Sequence, residues 1–369
     1  MRSVLRALTV AALPFAAALP RAAVIAPGGT THAAPPITAA GPGGYKLDPG
    51  PWKASSENLV LHDDRRKKDL EITVRFPLAE AGSAATFPLV VFSHGAGGSR
   101  AAFTALTSLW ATHGYVVVLP THADSIELRR RHGEDLSRLA GNLDALLTDV
   151  KPLDRLADIT FVLDALGVIE QQVPALRTQA GRGRISRDHI GMAGHSAGAL
   201  TTQMAFGVKV RPVLAGGDPA ALRSLGNPRI AAAILISGQG TTNRMFTDRS
   251  WSDLEKPMLV ITGSRDVAAI GKETPASRRE PFEKAKPGDK YLVFIEGATH
   301  SSYQGRGPAL GLDPSVPTAA ELEMITGVTS AATLAFLDAY LKDDGAARAY
   351  LGSDALAAFS QKKATLQRK

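Results

Sequence analysis

Short apolar runs alternate along this chain with longer segments whose apolar residues recur at helical spacing. Residues 87–93 form an apolar run of the kind found in strands that are buried on both faces. Ahead of it, apolar runs at 59–62 and 70–76 flank a polar and basic turn at 63–68. This arrangement predicts an antiparallel pair of strands at the start of the folded domain.

From residue 87 onward, strand patterns and helix patterns alternate along the chain. Strands are predicted at 115–119, 189–193, 231–236, 258–262 and 291–296, and helices at 100–112, 153–166, 197–207 and 319–341. Alternation of this kind predicts the α/β class, with helices on both faces of a mostly parallel central sheet.

The beginning of the chain has the composition of an export signal. Arg2 and Arg6 precede an apolar stretch at 7–19 that is too short to span a bilayer, and a small-residue site at 31–33 is suited to cleavage. We therefore expect residues 1–33 to be a signal peptide and the protein to be periplasmic or secreted, with no stable membrane insertion after signal removal. A buried N-terminal helix is the alternative interpretation.

Composition shifts divide the rest of the chain. Residues 34–57 are rich in proline and glycine and poor in periodic apolar positions, which predicts a linker. The strand and helix patterns predict a single α/β domain over 58–345, followed by a helical and basic tail over 346–369.

Charge and cysteine content narrow the classes of function. The net charge of +7 falls to about +4 without Arg2, Arg6 and Arg21 of the predicted signal peptide, which is a mild excess. The basic clusters at 65–68 and 129–131 have no interleaved aromatic residues. We therefore expect solvated faces rather than a nucleic-acid interface. The sequence has no cysteine, which excludes disulfides, thiolate metal sites and a cysteine nucleophile. No histidine or carboxylate cluster has metal-ligand spacing, so no metal site is expected.

Residues 194–198 read Gly-His-Ser-Ala-Gly, which is a G-x-S-x-G motif. The motif lies directly between a predicted strand and a predicted helix, which is the context of a nucleophile elbow. The flanking glycines permit a sharp turn that holds the hydroxyl of Ser196 above the carboxyl end of the sheet. The sequence therefore predicts Ser196 as a catalytic nucleophile.

A serine hydroxyl needs a base and an orienting carboxylate before it attacks a carbonyl. His300 follows the last predicted strand of the sheet, and Asp266 follows the strand before it. The order serine, aspartate, histidine along the chain is the one typical of α/β-hydrolases. We therefore predict His300 as the general base and Asp266 as its orienting carboxylate, with an exposed loop histidine and a surface aspartate as the alternatives.

The glycine-rich segment His-Gly-Ala-Gly-Gly at 94–98 follows the first long buried strand. Acyl transfer passes through an oxyanion that backbone N–H groups stabilise, and glycines let the backbone approach it closely. We predict the donors to be the N–H groups of Ala96 and of Ala197, the residue after the nucleophile. A plain glycine-rich turn is the alternative interpretation.

Three long connections, at 121–150, 207–228 and 238–255, follow strand or helix ends on the side where Ser196 should emerge. Ligands of open parallel sheets bind at that side, so these connections are expected to form the walls of a substrate cleft. The candidate substrate-binding residues are Gly95, His122 and Trp251, with structural roles left open for His122 and Trp251.

With these motifs, residues 58–345 resemble the α/β-hydrolase superfamily. The resemblance is strongest to its exported branch of dienelactone-hydrolase-like proteins, bacterial platelet-activating-factor acetylhydrolase-like esterases and cutinase-type polyester hydrolases. It rests on five segments, at 90–98, 114–120, 194–198, 262–266 and 296–300.

The resemblance implies a serine carboxylesterase that acts on a short-chain or acyl-lipid ester without a cofactor. Two departures limit the implied substrates. Dienelactone hydrolases use a cysteine nucleophile, which this chain lacks, and cutinase-type enzymes usually carry a methionine and an aromatic residue where Ala197 and Ala96 stand. The alternatives are a serine peptidase or amidase on the same fold, a polyester hydrolase, and a non-catalytic binding protein. The oligomeric state stays open.

Overall fold

The computed structural model describes residues 47–139, 143–212, 221–267, 272–305 and 317–369. The predicted signal peptide at 1–33 and the first part of the predicted linker, at 34–46, lie outside the described residues.

Nine strands in the described part of the chain form one sheet. Their bounds are β1 Ala54–Asp63, β2 Lys68–Pro77, β3 Phe87–Ser93, β4 Val116–Pro120, β5 Ile185–His195, β6 Ile230–Ile236, β7 Met258–Arg265, β8 Lys290–Thr299 and β9 Ala364–Arg368. Each strand predicted from the sequence is present, including the antiparallel opening pair β1 and β2.

The strand order is β1-β2-β4-β3-β5-β6-β7-β8-β9. Strands β3 to β8 run parallel to one another, while β2 is antiparallel to β4, and β9 is antiparallel to β8. The carboxyl ends of the parallel strands therefore lie along one edge of the sheet, where residues that follow different strands can meet.

The helices of the described residues are α1 Thr104–Thr112, α2 Ile126–Arg131, α3 Leu143–Asp149, α4 Pro152–Asp164, α5 Leu166–Gln172, α6 Ala197–Phe206, α7 Pro275–Glu283, α8 Ala319–Leu341, α9 Gly345–Leu351 and α10 Ala355–Phe359. The helix predicted at 153–166 is α4, and α5 follows it after one residue. Helices α2, α3, α5 and α7 carry no prediction from the sequence, whereas α10 and nearly all of α9 lie in the predicted helical tail.

Both faces of the sheet are covered, as predicted. On β3, Leu89 and Val91 point to one apolar cluster that includes side chains of α4, α5 and α6, whereas Val90 and Phe92 point to a second cluster with α1 and α8. Alternate residues of a strand face opposite sides of the sheet, so a strand covered on both sides needs an apolar residue at every position. This explains the continuous apolar runs of the sequence.

Helix α8 is the longest helix of the described residues and lies in the core. It begins with a capping box in which Thr318 and Glu321 satisfy each other's backbone N–H groups. The helix is long and apolar enough to cross a membrane, but it is mostly buried in the folded protein. Its polar residues are bonded inside: Thr333 accepts from the Trp110 indole N–H at 3.3 Å, and Asp338 accepts from the Tyr115 hydroxyl at 2.7 Å.

The ends of the folded unit differ from the predicted boundaries. Strand β1 begins at Ala54, so the predicted boundary at residue 58 lies inside it. The predicted tail at 346–369 supplies most of α9, all of α10 and the edge strand β9. Residues 54–57 and β9 are half polar because they belong to the edge strands of the sheet, so they lack the apolar run that predicts a strand.

Candidate active site

Ser196 occupies the sharp turn between β5 and α6. Its φ of 55° and ψ of −120° lie in a region that residues other than glycine rarely adopt. A Cβ atom on Gly194 would overlap the carbonyl oxygen of Gly198, and a Cβ atom on Gly198 would overlap that of Ser93. Both glycines of the motif are therefore required by packing, and the turn presents the Ser196 side chain at the carboxyl edge of the sheet.

His300 follows β8 directly and reaches across the edge of the sheet to the serine. Its Nε2 atom lies 2.9 Å from the Oγ atom of Ser196. The backbone on either side is fixed, because the Ser302 hydroxyl accepts from the Thr299 N–H at 3.0 Å and the His300 carbonyl accepts from His195 Nε2 at 2.7 Å. The imidazole therefore has a defined position over the elbow.

Asp266 follows β7 and completes a chain of three side chains. Its Oδ1 atom lies 3.0 Å from the Nδ1 atom of His300, and the carboxylate is fully buried. Since a carboxylate only accepts hydrogen bonds, this contact places the imidazole proton on Nδ1 and leaves the Nε2 lone pair facing Ser196.

Several donors hold the Asp266 carboxylate in its ionised form. Oδ2 accepts from the hydroxyls of Ser237, of Thr262 at 2.9 Å and of Tyr303 at 3.0 Å. Burial by itself raises the pKa of Asp266, but the Arg278 cation and the hydrogen bonds from His300 and Ser237 outweigh it and hold the pKa below its usual range. Asp266 is therefore an anion at neutral pH.

Arg278 on α7 is the buried cation of this site. Its Nε atom lies 3.0 Å from Asp266 Oδ1, and its Nη1 atom donates to the carbonyl oxygens of Ser237 at 2.7 Å and Gly238 at 3.1 Å. The side chain is 1% exposed. Arg278 links the turns after β6 and β7, and no motif of the sequence indicated it.

His195, beside the nucleophile, is a structural histidine. It is buried, its ring packs 4.8 Å from the ring of His300, and burial lowers its pKa to about 3. His195 is thus neutral and donates to the His300 carbonyl.

The predicted oxyanion donors lie beside Ser196. Residues 94–98, called the oxyanion loop below, pack so closely on the elbow that a Cβ atom on Gly95 would lie 3.6 Å from the Ser196 Cβ atom. Within the described residues, neither the Ala96 N–H nor the Ala197 N–H has a hydrogen-bond acceptor in the protein. Two unused donors therefore flank the nucleophile.

A cavity of about 1390 Å³ opens over these groups. Ser196, His300, Gly95, Ala96 and Ala197 line it. Its walls come from two of the three connections predicted to form them: residues 126–130 and 146–150 of the first, and residues 239–245 of the third. The described residues of the connection at 207–228 do not line the cavity.

Two of the predicted substrate-binding residues are corrected by the structure. His122 is fully buried and bonded to the Ser93 hydroxyl and the Asp158 carboxylate, both at 2.9 Å. Trp251 is fully buried against Phe246, and its indole N–H donates to the Gln203 side chain of α6. Neither residue lines the cavity. The hydrogen bonds of His122 and the packing of Trp251 hold both side chains inside the core. Gly95 does line it.

One segment of the chain matches a known protein family. Residues 72–129 match the family model for platelet-activating factor acetylhydrolase, isoform II. They include β3, the oxyanion loop and β4. No curated protein is similar enough to match the chain.

Among solved structures, the chain is similar to a ferulic acid esterase from Streptomyces cinnamoneus. The TM-score is 0.53 at 20% sequence identity, and the match covers 85% of this chain and 95% of that one. At this identity the likeness shows the fold. The chain has the α/β-hydrolase fold that its motifs predicted.

Proposed function

We propose that the protein is a serine hydrolase of carboxylic esters, with Ser196 as the nucleophile, His300 as the general base and Asp266 as its orienting carboxylate. The observation that carries this proposal is the hydrogen-bonded series from Ser196 Oγ to His300 Nε2 at 2.9 Å and from His300 Nδ1 to Asp266 Oδ1 at 3.0 Å. A nucleophile, a base and an orienting group in this order form the minimal set for acyl transfer.

The geometry supports a two-step reaction. His300 takes the proton of Ser196 at Nε2 while Oγ attacks the ester carbonyl, and the buried Asp266 anion stabilises the imidazolium that results. The carbonyl oxygen becomes an oxyanion beside the Ala96 and Ala197 N–H groups. The alcohol leaves with the proton from His300, and a water molecule then releases the acid from Ser196 by the same path.

The substrate proposed is a short-chain or acyl-lipid ester. The wall of the cavity that contains Ser196 includes the apolar side chains of Ile126, Leu146, Leu200 and Met245, which suit an acyl chain. The matched family is named as an acetylhydrolase and the structurally similar protein as a ferulic acid esterase, and these names favour an ester over an amide.

Replacing the nucleophile tests the proposal. Ser196→Ala should lower kcat for p-nitrophenyl acetate by roughly 10⁶-fold, as removal of a triad nucleophile does elsewhere. The variant should also lose covalent labelling by a fluorophosphonate probe. Ser252→Ala, which changes an exposed serine outside the cavity, is the matched control and should keep both properties.

A substrate panel separates the alternatives. The wild-type protein is assayed on p-nitrophenyl esters of increasing acyl length, on a polyester film and on p-nitroanilide amides. We expect hydrolysis of the soluble esters. Turnover of amides at equal or higher kcat/KM indicates a peptidase or amidase instead, and absence of both turnover and labelling indicates a binding protein.

A further inference from the structure

A buried ion pair lies directly behind the oxyanion loop. Arg155 of α4 and Asp124, which follows β4, have side chains that are 1% and 2% exposed. They contact each other twice, from Arg155 Nε to Asp124 Oδ1 at 2.8 Å and from Nη2 to Oδ2 at 2.7 Å. Such a planar, bidentate contact fixes the orientation of both side chains.

The remaining hydrogen bonds of this pair all go to the oxyanion loop. Arg155 donates to the carbonyl oxygens of His94 at 2.7 Å and Gly95 at 3.2 Å. Asp124 accepts from the Gly97 N–H at 2.9 Å. The pair thus contacts the loop through backbone atoms at three residues, His94, Gly95 and Gly97, whatever side chains the loop carries.

The contact to Gly95 controls the direction of the Ala96 N–H. The Gly95 carbonyl and the Ala96 N–H belong to one planar trans peptide, so they point in opposite directions. The Gly95 carbonyl also accepts from the His94 ring at 2.6 Å and from the Gly98 N–H at 3.1 Å. With this carbonyl held inside the protein, the Ala96 N–H is directed away from Arg155.

Glycine at position 95 makes this control necessary. A peptide next to a glycine can rotate because glycine has no Cβ to restrict it. Rotation would turn the Gly95 carbonyl outward, so that an acceptor would replace the donor beside the developing oxyanion. Fixed donors are effective because they need no reorganisation during the reaction.

We propose that the Arg155–Asp124 pair is a positioning device that holds the Gly95–Ala96 peptide in the orientation needed for oxyanion stabilisation. The inference rests on the proposed hydrolase function and extends it to two residues that touch neither the substrate nor the triad. A buried ion pair is a weak source of stability, since apolar replacement of both partners is often neutral. The pair therefore has a role in fixing the geometry of the oxyanion loop, which its small contribution to stability does not account for.

The test compares Arg155→Met and Arg155→Lys with the wild type. We expect kcat for p-nitrophenyl acetate to fall by about 10²-fold in Arg155→Met, the effect of losing one oxyanion donor, with KM nearly unchanged. Affinity for a trifluoromethyl ketone, whose serine adduct carries an oxyanion, should fall by a similar factor. Arg155→Lys keeps the charge but cannot make the paired contacts, so its kcat and its affinity for the ketone should lie between those of the wild type and those of Arg155→Met.

A matched control separates loop geometry from general stability. Arg229 bonds to the other end of the same helix α4, to Asp164 at 2.7 Å and to the Leu163 carbonyl at 3.0 Å. Arg229→Met should lower the melting temperature but leave kcat and ketone affinity unchanged well below that temperature. If Arg155→Met does not fold, the double variant Asp124→Leu with Arg155→Met removes both charges and takes its place.

The outcomes distinguish failure of the positioning role from failure of the proposed hydrolase function. If wild type hydrolyses esters, Ser196→Ala does not, and the Arg155 variants keep wild-type kcat and ketone affinity, the positioning role is overturned while the proposed function stands. If the wild type hydrolyses no ester, both are overturned. Parallel losses in kcat and ketone affinity, at temperatures where the variant is folded, support the positioning role.

Discussion

Ser196 is held in a backbone conformation that a serine adopts only under constraint. A non-glycine residue at a φ of 55° and a ψ of −120° costs on the order of 1–3 kcal/mol, which the surrounding strand and helix must offset. We expect Ser196→Gly to unfold with a free energy about 1 kcal/mol higher than that of Ser196→Ala, because glycine relieves the strain and alanine does not. Urea unfolding of the two variants measures this difference.

Both variants lack the hydroxyl, so they share the loss of the His300 contact and differ only in backbone strain. Both should be inactive. A Ser196→Ala variant that is more stable than Ser196→Gly would contradict the presence of strain at the elbow, because glycine otherwise weakens a fold through the entropy of the unfolded chain.

The three reacting side chains could be predicted from the sequence, but the groups that support them could not. Ser196 is marked by its glycines, and His300 and Asp266 by their positions after successive strands. Arg278 and Tyr303 contact Asp266 from segments that have no fixed spacing to it. Such contacts arise only from the packing of α7 and the turn after His300 against the sheet edge, which periodicity does not report.

The segment between β6 and β7 combines a core residue and a cavity residue. Trp251 is fully buried, while Met245 lines the cavity. We expect Trp251→Ala to lower the free energy of unfolding by about 3–5 kcal/mol through the cavity it leaves, with no change in the preferred acyl length. Urea unfolding and an acyl-length profile measure the two effects.

Met245→Ala is the matched substitution on the same segment. It should shift the acyl-length profile, because it enlarges the wall of the substrate cavity, and it should destabilise the fold less than Trp251→Ala does. A changed acyl preference in Trp251→Ala with an unchanged one in Met245→Ala would restore Trp251 as the substrate-contacting residue.

Helices and strands differ in how far the sequence indicates them. Each parallel strand is buried on both faces, so its residues are apolar and its position is predictable. Helix α7 has a proline at its start and Pro281 inside, and its exposed face is strongly charged. These features favour a loop when read locally. The helix forms because Thr274 and Ser277 cap it and because Phe282 and Arg278 are buried against the core.

The molecule as a whole contains several buried histidines, which make its stability depend on pH. Burial lowers the pKa of His94, of His122 and of His195, the last to about 3, whereas an unfolded histidine has a pKa of about 6.5. Below pH 6.5 the unfolded chain therefore binds protons that the folded protein does not. The free energy of unfolding falls as the pH falls from 6.5 towards the folded pKa values.

For His195, whose pKa in the folded protein is about 3, this loss between pH 7 and pH 5 is about 2 kcal/mol. The buried carboxylates act in a lower range: the pKa of Asp266 and of Asp124 is held below its usual range, so their contribution is complete above about pH 4 and is lost only below it. Urea unfolding at pH 7 and pH 5 isolates the histidine effect.

His195→Gln keeps an amide donor for the His300 carbonyl and removes the titrating ring. It should reduce the loss of stability between pH 7 and pH 5 by about 2 kcal/mol. The exposed His189→Gln variant is the control and should show the wild-type loss. Equal unfolding free energies of the wild type at the two pH values would contradict the neutral, buried state of these rings.

Unfolding of the protein exposes the apolar residues of helix α8. In the folded protein the helix packs between the sheet and α9. Thr333 is bonded to Trp110 of α1, and Asp338 is bonded to Tyr115, which directly precedes β4. Once those partners are lost, a segment of bilayer-spanning length and composition is exposed. Asp338, which is costly to carry into hydrocarbon, opposes the partition of that segment into lipid and so favours refolding.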